Sequence, residues 1–170
     1  MDVADLLREE FGRLPEVVHE AVDGLDVDLL IAAPGPGANT VAWLVWHLTR
    51  VQDHHVSELL GDEQLYLADS WHERFGRGPD PEDHGYGHTA ADVASVRPAS
   101  PGDLSAYYDA VHARTLAYLG GLTPADLDRV VDDRWDPPVT LGVRLASILS
   151  DDLQHVGQAA YVRGLLSRRP

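Results

Sequence analysis

Four runs of apolar residues at three- and four-residue spacing, each opened by a capping residue, constrain this chain more than any other feature. Leu6, Leu7, Phe11, Leu14, Val18, Ala21 and Val22 form the first stripe, behind Asp2 as N-cap and ahead of Gly24 as stop. Val41, Leu44, Val45, Leu48, Val51, Val56 and Leu59 form the second, behind Asn39 or Thr40 and ending at Gly61. Leu104, Tyr108, Val111, Thr115, Tyr118 and Leu122 form the third, opened by Ser100-Pro101-Gly102-Asp103 and broken at Gly120-Gly121. Leu141, Leu145, Ile148, Leu149, Leu153, Val156, Ala160 and Leu166 form the fourth, capped by Thr140. The spacing predicts long helices near 3–22, 39–60, 101–119 and 140–166, with Pro15 kinking or splitting the first. No run alternates as a strand does, so no sheet is expected. The 170 residues read as one all-α domain, 1–170, a four-helix bundle.

The halves of the chain share a layout. Each has a long helix, a Gly-Leu pair (Gly24-Leu25, Gly121-Leu122), a short acidic turn, a proline-bearing loop and a second long helix. Two helical hairpins joined by one long crossover are expected. The crossover, 62–102, is rich in Gly, Pro, His and acidic residues, with short helical turns at Ser70–Phe75 and after Thr89, where Thr89 and Asp92 suggest a capping box. A connection this long in a compact domain tends to carry function. Its Trp71 and Tyr86 are too large and apolar to stand wholly in water; with His88 they are the expected wall residues of a pocket.

Polar residues interrupt two of the stripes. Asp151 and His155 lie four apart in the last helix, one above the other, and Gln158 continues the row. A carboxylate and an imidazole one turn apart can share a divalent metal, or can form a hydrogen-bonded pair at the edge of a core; the spacing fits both. His47, flanked by Leu44 and Val51, borders the buried face of the second helix, as a core histidine or as a ligand. His54 is two turns on, roughly 10 Å along the axis, too far to join His47 on one ion. His55 turns further into the apolar stripe, and with Glu58 is a conceivable proton carrier.

Composition excludes several classes. With 28 acidic residues against 13 basic, a net charge of −15 opposes nucleic acid and anionic membranes as partners. The absence of cysteine removes a thiolate nucleophile and any Cys-based metal site, so a transition metal must be held by His, Asp or Glu. The N-terminus has no basic leader and no apolar run spans a bilayer, so a soluble, cytoplasmic protein is expected.

The segment Asn39-Thr40-Val41-Ala42-Trp43-Leu44-Val45-Trp46-His47-Leu48, with the late Asp151-x-x-x-His155-x-Gly157-Gln158, resembles the DinB-like superfamily, which includes the N-terminal domains of mycothiol-dependent maleylpyruvate isomerases. The resemblance spans essentially the whole chain. It implies His47, Asp151 and His155 as ligands of one divalent metal, with Asp151 standing where the family usually has His. Two imidazoles and a carboxylate suit zinc, nickel, manganese or iron. Asp152 is the fallback carboxylate, since a helical wheel turns it more directly inward. The resemblance further implies a small-molecule substrate and thiol-dependent transfer or isomerisation, with mycothiol or another small thiol as co-substrate. The competing readings are a non-enzymatic, stress-associated bundle that holds metal and forms a homodimer, and a metal-dependent hydrolase.

Overall fold

The computed structural model describes residues 1–168; the last two residues of the expected 1–170 domain lie outside the described residues. Four long helices carry it: α1 (Val3–Val22), α3 (Val41–Leu60), α7 (Pro101–Gly120) and α8 (Leu141–Leu166). Short helices fill the connections: α2 (Val27–Leu30), α4 (Leu65–Ala68), α5 (Trp71–Arg74) and α6 (Ala90–Ser95), with a 3-10 turn at Pro124–Asp128. The side-chain caps expected at Asp2, Thr40, Thr89 and Thr140 form, whereas Ser100 precedes α7 without a side-chain cap bond. Thr40 accepts from the Trp43 amide at 3.1 Å, and reciprocal capping boxes close Asp2 with Asp5 and Thr89 with Asp92. Pro15 does not divide α1, because Phe11 and Leu14 before it and Val18, Ala21 and Val22 after it bury into one core.

Two expectations change. A two-stranded antiparallel hairpin, β1 (Val130–Asp132) with β2 (Val139–Thr140), precedes α8. Strands of three and two residues are too short to leave an alternating pattern in sequence. The helices within each half also do not lie side by side. The main packed pairs are α3 with α8, α1 with α7, α3 with α7 and α1 with α8, so the partners within each half sit diagonally across the bundle. Connections of this length let the chain cross the bundle end instead of turning back beside itself.

Helix α3 is the centre of the molecule: every residue from Val41 to Asp53 is buried, polar ones included. Its apolar side packs on α7 and α8, and its polar side is covered by the crossover, not by water. Arg50 is fully buried and donates to the carbonyls of Asp83 and Pro81 at 3.0 Å each and to Gln64 at 2.8 Å, with its guanidinium 3.8 Å above the Tyr66 ring. Asp53, equally buried, accepts from the Leu65 and Tyr66 amides at the start of α4 and from the Tyr107 hydroxyl on α7. The two charges lie 3.6 Å apart. No helix among the described residues is long and apolar enough to cross a membrane.

Removing one member of a buried pair strands the other charge, so Arg50→Ala is expected to cost about 3–5 kcal/mol, read as a lower urea midpoint with an unchanged slope.

Candidate metal centre

The α3–α8 contact brings His47, Asp151 and His155 together, with one donor atom from each within 4.8 Å of the others. The two imidazole centroids are 4.6 Å apart and inclined by 56°. His47 is almost wholly buried; Asp151 and His155 are half-buried. Both rings have their tautomer set by a carbonyl, which can only accept. His155 Nδ1 donates to the Asp151 carbonyl at 2.9 Å, and His47 Nδ1 donates to the carbonyl of His84 in the crossover. Each therefore keeps Nε2 as a free lone pair. Asp151 Oδ2 is buried with no hydrogen-bond partner among the described residues. Burial holds the His47 imidazole down at about 4, the neighbouring His155 adding to the effect, so the ring is neutral at physiological pH. Burial pushes the Asp151 carboxyl up, opposed by His155. Two imidazoles, each with Nδ1 turned to a carbonyl, and a carboxylate oxygen without a partner fit a divalent cation, which would supply the charge that Asp151 lacks.

The other expected site residues divide into those at the trio and those apart from it. Tyr86 stands edge-on to His47 with centroids 5.4 Å apart, and burial, then the Asp151 charge, hold its phenol above the ordinary value. His88 is one layer behind, accepting at Nδ1 from the Trp43 indole at 3.0 Å. Trp71 lies elsewhere, packed on Tyr107 of α7 with ring centroids 5.3 Å apart. Gln158 is exposed on α8. Asp152 is fully buried and not in the trio; burial and then the Asp151 charge push its carboxyl well up, which disfavours the charged form that a ligand needs.

His54, His55 and Glu58 form a second group with converging donor atoms. A guanidinium already occupies it: Arg144 donates to His55 Nδ1 at 2.5 Å and to Glu58 at 3.0 Å, and pairs with Asp132 of β1 at 3.1 Å. Burial and then the Arg144 charge hold His55 down at about 3. This cluster ties the hairpin to α3 and α8, and it leaves His55 a weak base.

Four residues of the site were not legible beforehand as its parts: Trp43, Asp83, His84 and Gly85. The Trp43 indole lies flat on His47, centroids 4.6 Å apart and planes within 10°. Gly85 has a φ of +103°, and a Cβ there would stand 2.5 Å from His47 Nδ1. The available signal was the run Asp83-His84-Gly85-Tyr86-Gly87-His88, where glycines on both sides of an aromatic mark a backbone pressed against something. Along the outer side of α8 an open groove of about 420 Å³, lined by Val143, Ala146, Ser147, Ser150, Asp151 and Gln154, reaches the trio through Asp151.

An all-α bundle whose facing helices converge two imidazoles and a carboxylate is a helical bundle with a candidate metal centre, the class this fold and site define. More particularly, the chain belongs to the DinB superfamily, whose family model matches residues 10–159. Among solved structures it is similar to a conserved protein from Enterococcus faecalis, 34% identical over 99% of each chain with a TM-score of 0.90. No curated protein matches the sequence.

Two outcomes follow from the geometry. Gly85→Ala combines a disfavoured backbone angle with a clash on the His47 ring, so it should destabilise the protein by about 1–3 kcal/mol, measured by urea unfolding. For pH, an unfolded His binds its proton near 6.5 while native His47 binds it only near 4, so between these values the unfolded state carries more protons and stability falls with acidification. In metal-free protein, His47→Gln should reduce that slope by up to one proton, about 1.4 kcal/mol per pH unit, measured by urea unfolding from pH 4 to 7.

Proposed function

We propose that this chain is a divalent-metal-dependent enzyme of the DinB superfamily that uses a low-molecular-weight thiol to transfer to, or isomerise, a small electrophile. The observation that carries the reading is the set of free donors: two Nε2 lone pairs whose tautomers are fixed by carbonyls, and a buried carboxylate oxygen without a partner. His47, Asp151 and His155 hold the ion, and zinc, nickel, manganese or iron all accept such a set. When bound, a divalent ion with three protein donors keeps a coordination position open and lowers the pKa of a thiol placed there.

The chain's own groups do the rest. Asp151 joins the donor set to the groove along α8, so a small molecule lying there meets the site at one edge. Ser147, Ser150 and Gln154 offer it hydroxyl and amide contacts, and Val143 and Ala146 an apolar floor. Tyr86, exposed on its outer side, borders His47 and limits what approaches from the crossover. With no cysteine in the chain, the nucleophilic sulfur has to arrive on a co-substrate such as mycothiol. In transfer, the thiol adds across an electrophilic double bond of the substrate, the S–C bond forming as the π bond breaks and the S–H proton ending on the substrate; in isomerisation the S–C bond later breaks, the double bond re-forms, and the thiol is released with its proton restored.

Protein purified without a metal-binding tag should carry close to one equivalent of transition metal by elemental analysis, and alanine at His47, Asp151 or His155 should each remove most of it. Millimolar mycothiol or bacillithiol should raise the thermal midpoint only of metal-loaded protein, by the equivalent of about 2.7 kcal/mol at one hundred times Kd. Metal-free protein of equal stability, with no thiol-dependent shift, would instead support the non-enzymatic bundle.

A further inference from the structure

His47 is anchored twice, once directly from the crossover and once through Trp43 of α3, whose own anchor lies in the same six-residue stretch, 83–88. The first is the His84 carbonyl, which takes the Nδ1 proton and fixes one atom of the ring while leaving the ring plane free to turn about that bond. The second is the Trp43 indole, stacked flat on the imidazole, which sets the plane. Stacking alone lets two rings slide, so the indole needs an anchor of its own. His88 provides it: an indole N–H only donates, so His88 Nδ1 accepts from Trp43 Nε1 at 3.0 Å and the His88 proton resides on Nε2. That proton is donated to Asp83 Oδ1 at 2.9 Å, while Asp83 Oδ2 is held by Arg77 at 2.6 Å. The far face of His88 stacks on Trp46, centroids 5.7 Å apart and planes within 19°.

We propose that His88, oriented by Asp83, is a positioning residue of the metal centre: it fixes the Trp43 indole, and the indole fixes the plane in which His47 presents Nε2. The proposal rests on the metal-centre reading above and assigns to it a support that the donor trio does not include. His88 touches none of the three donors through a hydrogen bond; it acts through Trp43. Outer partners of metal-bound imidazoles contribute by holding ring orientation, and losing one typically weakens metal binding by about 10- to 100-fold.

His88→Leu removes the acceptor for Trp43 and the donor to Asp83, whereas His88→Gln keeps an acceptor and a donor on a side chain of similar reach. In metal-free protein labelled with 15N-histidine, the ring protons of His47 lie over the Trp43 face and should be shifted upfield in wild type and in His88→Gln. That shift should collapse in His88→Leu. Titration with Co2+ should show affinity lowered by about 10- to 100-fold in His88→Leu, with altered visible absorption, and near-wild-type behaviour in His88→Gln. Thermal midpoints of the metal-free variants establish that each is folded, and a structural role alone would move those midpoints without moving the Co2+ spectrum. An unchanged His47 shift in His88→Leu, or an unchanged Co2+ affinity and spectrum, would overturn the proposal. Wild-type protein that binds no Co2+ would overturn the metal-centre reading instead, and the metal-free shifts would then decide the tether.

Discussion

A guanidinium with no exposed surface stands at the middle of α3, and most of what surrounds the candidate site is arranged to satisfy it. Arg50 would be costly to bury bare. Its donors are met by the Asp83 and Pro81 carbonyls, by Gln64, and by the ion pair with Asp53, so that a single side chain draws residues 64, 81 and 83 onto one helix. Asp53 extends the same junction to the first amides of α4 and to Tyr107 of α7. The crossover is therefore not a loose lid. It is fastened at its start and its middle to the most buried helix of the molecule.

That fastening is what delivers the next residues to the site. Once the Asp83 carbonyl is held by Arg50 and its carboxylate by Arg77, the chain passes through His84 and Gly85 with its backbone against His47. The tautomer of a donor on α3 is thus decided by a carbonyl more than thirty residues away in sequence. On α8 the corresponding job is local, since His155 uses the carbonyl one turn before it. The two imidazoles reach the same state, Nε2 free, by one long-range contact and one short-range contact.

The acidic residues on the inner side of α8 show the cost of placing such a site in a bundle. Asp151 and Asp152 are adjacent, and both have buried oxygens with no partner among the described residues. Burial raises both carboxyls, and the Asp151 charge further disfavours ionisation of Asp152. A cation would resolve this for Asp151 alone, because of the two only Asp151 shares its surroundings with His47 and His155. Asp152 lies beside it in sequence and fully buried, near Tyr108, whose phenol is itself raised by burial and then by Asp152.

The sequence by itself determined the long helices and their caps, because period, N-cap chemistry and helix-stopping glycines act within a few residues of one another. It also placed Asp151 and His155 on one side of one helix, since a turn of helix fixes that relation without any partner. What it did not determine is which long helices touch, for apolar stripes specify a buried face and not the neighbour that covers it. The diagonal arrangement, the small hairpin before α8, the separation of Trp71 from Tyr86 and the capture of His55 by Arg144 all came from the tertiary structure. So did the difference between Asp151 and Asp152: a helical wheel turns Asp152 further inward, yet it is the half-buried neighbour whose carboxylate lies with His47 and His155. The polar face of α3 shows the limit most clearly. Arg50 and Asp53 carry charges that ordinarily seek water, and only a crossover folded back over them and over His47 supplies the carbonyls and amides that let charge and lone pairs exist inside the bundle.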